Sequence, residues 1–195
     1  MDLGYYTTEG EGWTIVCRGS YPDPMAGHTF TQILGTLNEA KVRYLIAGGM
    51  AVLLHGVPRN THDLDLYIDL AKANLLKALR ALGRIGLHPR IPATLDQIAD
   101  APTRARWIRE KNMLVLQVMD PDDPFHPVDI FVHHLVPFAA AWKRRVVGDL
   151  EGVKAPLMSI RDLITLKKAA NRAQDVSDIA GLRMVAHEAS KKRRT

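Results

Sequence analysis

The run LIAGGMAVLLHGVPRNTHDLDLYID, residues 45–69, narrows the choice of fold more than any other part of the chain. It opens as a short apolar segment of the kind that forms a buried strand and breaks at Gly48-Gly49. Residues 50–55 then have the length and apolar content of a short helix, which Gly56 and Pro58 stop. From Asp63 to Ile68 the residues alternate strictly, with Leu64, Leu66 and Ile68 on one face and Asp63, Asp65 and Tyr67 on the other. The expected result is a strand with one dry and one wet face, reached through a turn, a helix and a loop. Asp63 and Asp65, two apart on a strand, hold their carboxylates side by side, and like charges that close raise each other's proton affinity unless a cation lies between them. Mg²⁺, or Mn²⁺ in its place, suits such a pair, because it takes carboxylate oxygens and fills the rest of its shell with water and phosphate oxygens.

A third carboxylate on a neighbouring strand would complete a two-metal arrangement that activates a hydroxyl and stabilises a leaving pyrophosphate. Asp129, inside the apolar segment of HPVDIFVHH, is the candidate, because an unpaired acid there is costly. Gly48 and Gly49 fit the same chemistry: a strand that ends in two glycines and opens a helix presents backbone N–H groups to phosphate with no side chain in the way. The plainer alternatives are solvated acids on an edge strand and an ordinary glycine turn.

The rest of the chain supports an α+β (α/β) domain with a small mixed β-sheet flanked by helices. A helical pattern begins at Thr29 or Thr31, another covers residues 71–85, and strands are expected at 113–119 and 128–133, joined as an antiparallel hairpin by the turn cluster DPDDPFHP. Residues 136–147 read as a helix and GDLEGVKAPL as an extended connection. Ser159, with Asp162 three residues on, starts a helix, and residues 174–187 complete a C-terminal helical pair. The resulting division is an irregular lead-in or hairpin at 1–30, a core at 31–156, helices packed on it at 157–190 and a basic tail at 191–195.

Composition excludes several classes. With 47% hydrophobic and 24% charged residues in 195, the chain has enough apolar content for one packed domain and is not disordered overall. Its longest apolar runs are too short to span a bilayer, so no membrane partner is expected and a cytoplasmic location is. The single cysteine, Cys17, rules out an intrachain disulfide and a Cys-rich zinc site. A net charge of +5 favours an anionic partner, although much of the excess lies in the tail. The eight histidines, His126, His133 and His134 among them, lack the helical spacing of zinc hydrolases. RARWIREK, residues 104–111, mixes basic and aromatic residues as RNA-contacting helices do, but a solvated amphipathic helix is the better reading.

The run AGGMAVLLHGVPRNTHDLDLYID, together with DLITLKKAANRAQDVSDIAGL near the C-terminus, resembles the nucleotidyltransferase superfamily that shares its fold with DNA polymerase β. The likeness is greatest to its small bacterial members, which include abortive-infection type toxins. The resemblance implies the nucleotidyltransferase fold, with Gly48 and Gly49 as the phosphate-loop pair and Asp63, Asp65 and Asp129 as metal-binding catalytic carboxylates. It makes Lys167 a phosphate contact, with Lys168 as its less favoured substitute, and Asp175 and Asp178 the terminal acids, one of which helps to position the nucleotide or that lysine. Arg59 and Thr61 stand where members often carry the same types. Gly49 replaces the serine of many polymerase-like members, which removes one hydroxyl contact to phosphate.

The function so implied is transfer of a nucleoside monophosphate from an NTP to a hydroxyl of tRNA, a protein or a small molecule, with Mg²⁺ or Mn²⁺. Its biological setting could be the toxin of a toxin–antitoxin pair, with a cognate antitoxin as partner. The alternative is a nucleotidyltransferase-fold module that binds nucleotide or a partner without catalysing transfer.

Overall fold

The computed structural model describes residues 14–17 and 28–192, and for residues 14–17, 123–126 and 192 it describes the backbone alone. In chain order the elements are β1 (Thr14–Cys17), α1 (Phe30–Glu39), β2 (Tyr44–Ile46), α2 (Gly48–Leu54), β3 (Leu64–Ile68) and α3 (Lys72–Arg84). Then come β4 (His88–Pro89), α4 (Leu95–Ala99), α5 (Ala101–Lys111), β5 (Val115–Asp120) and β6 (Asp123–Phe131). The chain closes with α6 (Phe138–Lys143), β7 (Val146–Leu150), β8 (Val153–Leu157), α7 (Ile160–Ala170) and α8 (Ala173–Lys192). Apart from β1, the expected lead-in at 1–30 lies mostly outside the described residues.

These elements form two compact units. Of the described residues, one comprises 28–45 and 62–134, the other 14–17, 46–61 and 135–192. In the first, β3 runs parallel to β6, β6 antiparallel to β5, and β5 antiparallel to β4. Leu64, Leu66 and Ile68 of β3 and Val128 and Ile130 of β6 are fully buried. Leu75, Leu79 and Leu82, at helical spacing on α3, are equally buried; each such side chain contributes about 1.5–3 kcal/mol relative to exposure. Thr29 caps α1, its hydroxyl accepting from the Gln32 N–H at 3.2 Å.

In the other unit β1 runs parallel to β7, β7 and β8 form an antiparallel hairpin, and Ile46 pairs in parallel with Leu157 of β8. Ser159 caps α7. Gly181 of α8 lies so near Val57 that a Cβ would come within 2.5 Å of its Cγ1. Among the described residues no helix is long and apolar enough to cross a membrane.

Several local expectations change. Gly48 and Gly49 do not precede α2 but form its first turn, with Gly48 at φ +57°. GDLEGVKAPL is no extended link: Glu151 and Gly152, at φ +52° and +87°, close the β7–β8 hairpin with the left-handed pair that a two-residue turn requires. That hairpin truncates the helix expected at 136–147 to six residues. β6 begins five residues early, running through Pro124 and Pro127; its pairing with β3 starts only at Val128, so these prolines remove no N–H from that ladder. Tyr67, placed on the wet face, is fully buried: its ring stacks on His134 at 4.0 Å and tilts against Phe131 at 5.6 Å. The wet face of β3 is therefore confined to its N-terminal end. His133 and His134 follow β6 rather than lying on it.

Candidate active site

The parallel pairing of β3 with β6 sets Asp65 directly opposite Asp129. Asp65 is half-buried and Asp63, one residue before the strand, is exposed. Burial pushes the Asp129 carboxyl above its ordinary value, and the negative charge of Asp63 pushes the same way, against a hydrogen bond from the Gln117 side-chain amide to Oδ1 at 3.3 Å. All three acids named from the sequence thus lie in one unit, with Asp65 and Asp129 on adjacent strands and Asp63 near enough to act on Asp129. Gln117 was missed. It stands opposite Asp129 on β5, and the strand alternation that selected the acids would have selected it had polar, uncharged side chains been included.

Among the described residues no three His, Cys, Asp or Glu side chains form a ready-made metal cage. The expectation of three acids converged on a metal is not realised as a closed site. The donor set nonetheless fits a hard divalent cation, which is typically held by one or two carboxylates plus substrate phosphates rather than enclosed by protein. Asp65 and Asp129 are such a pair.

The remaining candidates meet in the other unit, in a buried network. Gly49 has no room for a side chain: a Cβ would lie 2.6 Å from Thr61 Oγ1 and 2.7 Å from Arg59 Nε. Arg59, lying against that glycine, donates to Asp178 Oδ2 through Nη1, and its buried Nε has no hydrogen-bond partner among the described residues. Lys167 donates to the same Asp178 oxygen at 2.6 Å and to Asp175 Oδ1 at 3.2 Å. Arg172 completes the set, giving Asp175 a backbone and a guanidinium hydrogen bond, both at 3.0 Å. Desolvation would raise the Asp175 pKa, but the hydrogen bonds from Arg172 and the Lys167 ammonium outweigh it and hold it near 2.

Gly49, Arg59, Thr61, Lys167, Asp175 and Asp178 are thereby brought together, and Gly48 adjoins them. The arrangement gives Lys167 a different position from the free phosphate contact expected: only 5% of its side chain is exposed, and two buried carboxylates share its charge. Of the two roles expected for Asp175 and Asp178, holding that lysine is the one their contacts match.

Two of the histidines lie in buried surroundings of their own. His55, buried, is hydrogen-bonded through Nε2 to the Met158 carbonyl at 2.8 Å and lowered in pKa by burial, while burial lowers His134 to about 4.

Solved structures show that this is the fold of nucleotidyltransferases. A lincosamide antibiotic adenylyltransferase, LnuA, with lincomycin bound superposes at a TM-score of 0.52 with 15% identity, over 82% of this chain and 99% of that one. ANT(2")-Ia in complex with adenylyl-2"-tobramycin superposes at 0.50 with 14% identity, over 84% of this chain and 95% of its own. No curated protein matches by sequence. The family model described as nucleotidyltransferase of unknown function (DUF6036) matches residues 28–187, and the chain belongs to that family.

Proposed function

We propose that this nucleotidyltransferase moves a nucleoside monophosphate from an NTP to a hydroxyl, with Asp65 and Asp129 as its central carboxylates and Asp63 beside them. The observation that carries the reading is the placement of Asp65 opposite Asp129 on parallel strands. In the reaction the acceptor oxygen attacks the α-phosphorus, the bond to the β-phosphate oxygen breaks, and pyrophosphate leaves with those electrons. Asp129, whose proton affinity is raised by burial and by Asp63, is suited to take the proton of the hydroxyl. Asp63, Asp65 and Asp129 would hold a divalent cation, Mg²⁺ or Mn²⁺, together with the phosphates, and when bound it would supply charge neutralisation.

Gly48, Gly49, Arg59 and Thr61 are proposed as phosphate-facing. The net charge of Arg59, Lys167 and Arg172 against Asp175 and Asp178 is one positive, and Arg59 keeps an unused buried N–H. Lys167 acts in this reading by holding the cluster together.

Adenylyl transfer is the first reaction to test, because one structural neighbour is a lincosamide antibiotic adenylyltransferase and the other holds adenylyl-2"-tobramycin. A small-molecule hydroxyl is the first acceptor, and a tRNA terminus or protein hydroxyl, the latter two in keeping with a toxin held by an antitoxin, are the others. The experiment incubates the protein with Mg²⁺ and each α-labelled NTP, with aminoglycosides and lincosamides, total tRNA or cell protein as separate acceptor arms. Label transferred by the wild type and lost in Asp63→Asn, Asp65→Asn supports the reading; equal label in both overturns it. The burial of Lys167 between two acids favours a second reading, a module that binds nucleotide without transfer. NTP binding with no transfer in any arm would select it.

A further inference from the structure

The strand register continues the polar row beyond the two acids. Asp65 on β3 faces Asp129 on β6, Asp129 faces Gln117 on β5, and the backbone N–H of Arg90, just past β4, donates to the Gln117 carbonyl at 2.9 Å. The side chains follow the same line. Arg90 Nη1 donates to Gln117 Oε1 at 2.9 Å, and Gln117 Nε2 donates to Asp129 Oδ1 at 3.3 Å. An amide can serve Asp129 only with its NH₂ end, and the cation at Arg90 holds the oxygen end away from the carboxylate. The flip that would set amide oxygen against carboxylate oxygen is thereby disfavoured.

We propose that Arg90 and Gln117 are positioning residues for Asp129. They engage Oδ1 and turn Oδ2 toward the divalent cation and the acceptor hydroxyl. The inference rests on the reading of Asp129 given above. Groups that orient a ligating carboxylate are worth about 10–100-fold in metal affinity or activity when removed. Gln117 is half-buried and Arg90 exposed, so the effect of Arg90, exerted through Gln117, is the smaller.

The test uses the full chain and two readouts, Mn²⁺ binding by electron paramagnetic resonance and label transfer from NTP. Gln117→Leu removes the donor at similar volume, and Gln117→Glu keeps the partner of Arg90 while removing the donor to Asp129. Both are expected to weaken Mn²⁺ binding or lower kcat about tenfold with the KM for NTP within about twofold, and melting curves report that each folds. Arg90→Leu is expected to lower the same quantity less, and Arg90→Leu, Gln117→Leu to be no worse than Gln117→Leu alone, because the two act in series.

Wild-type kcat and Mn²⁺ affinity in Gln117→Leu, a loss confined to KM, or additive losses in the double variant would overturn the inference. Mn²⁺ binding without transfer by the wild type overturns the proposed function, and the inference is then judged on Mn²⁺ affinity alone. Neither binding nor transfer overturns both.

Discussion

Replacing Gly49 by alanine places one methyl group where the structure has no space for it. Its Cβ would sit 2.6 Å from Thr61 Oγ1, 2.7 Å from Arg59 Nε and 3.0 Å from Arg59 Cζ, against 3.4–4 Å for ordinary contact. Thr61 can turn its hydroxyl aside, but the Arg59 guanidinium, 17% exposed, is tied to Asp178 and must move as a plane. Overpacking of this kind costs about 1–3 kcal/mol. At about 2–4 °C per kcal/mol for a chain of this size, the midpoint should fall by about 2–12 °C. Calorimetry or circular dichroism of Gly49→Ala is the assay. Gly35→Ala is the control: nothing lies within 4 Å of a Cβ there, in the middle of α1, so it should be neutral or stabilise by up to about 1 kcal/mol. The cost of Gly49→Ala should shrink in an Arg59→Ala background, where the principal obstacle is gone. An unchanged midpoint in Gly49→Ala, or the same loss with and without Arg59, would refute the close packing of Arg59 on Gly49.

Three further outcomes follow from the same contacts. Lys167→Met leaves Asp175 and Asp178 buried without their shared cation, and urea unfolding should show a loss of about 3–5 kcal/mol. Asp175 has a folded pKa of about 2 against an ordinary 3.8, so its contribution is fully present above about pH 4 and is lost as pH falls from there toward 2; it amounts to about 2 kcal/mol, and acid unfolding of Asp175→Asn should lack that component. Asp129 has the opposite sign, since its raised pKa means that the ionised form destabilises the fold above the ordinary carboxylate range. Asp129→Asn, melted in EDTA at pH 7.5, should therefore be at least as stable as the wild type while losing transfer.

The carboxylate row was legible because two short-range rules suffice for it. Period-two alternation put Asp63 and Asp65 on one face, and an acid in an apolar strand marked Asp129 as a residue needing a reason. The Arg59–Asp178 and Lys167–Asp175 contacts follow no local rule: Arg59 and Asp178 are 119 positions apart, and only the likeness to a family brought both segments into view. That likeness did not reveal that Lys167 would be buried between two acids, because such contacts depend on tertiary packing. The β7–β8 hairpin was missed because its turn is Glu-Gly rather than Asn-Gly or Asp-Gly, and Pro156 lies within the second strand. Gln117 was missed because an uncharged amide on a strand carries no cost that calls for explanation until its neighbour is known to be an acid.

The central claim is that Asp65 and Asp129, paired across β3 and β6, perform nucleotidyl transfer. The most direct measurement is the single-turnover rate of label transfer from NTP for Asp65→Asn and Asp129→Asn, each verified as folded by its melting curve. The pairing predicts that either change alone lowers the rate by about a thousandfold or more and that the double variant is scarcely slower, because the two carboxylates act as a unit. Transfer at near wild-type rate in either folded single variant would contradict it.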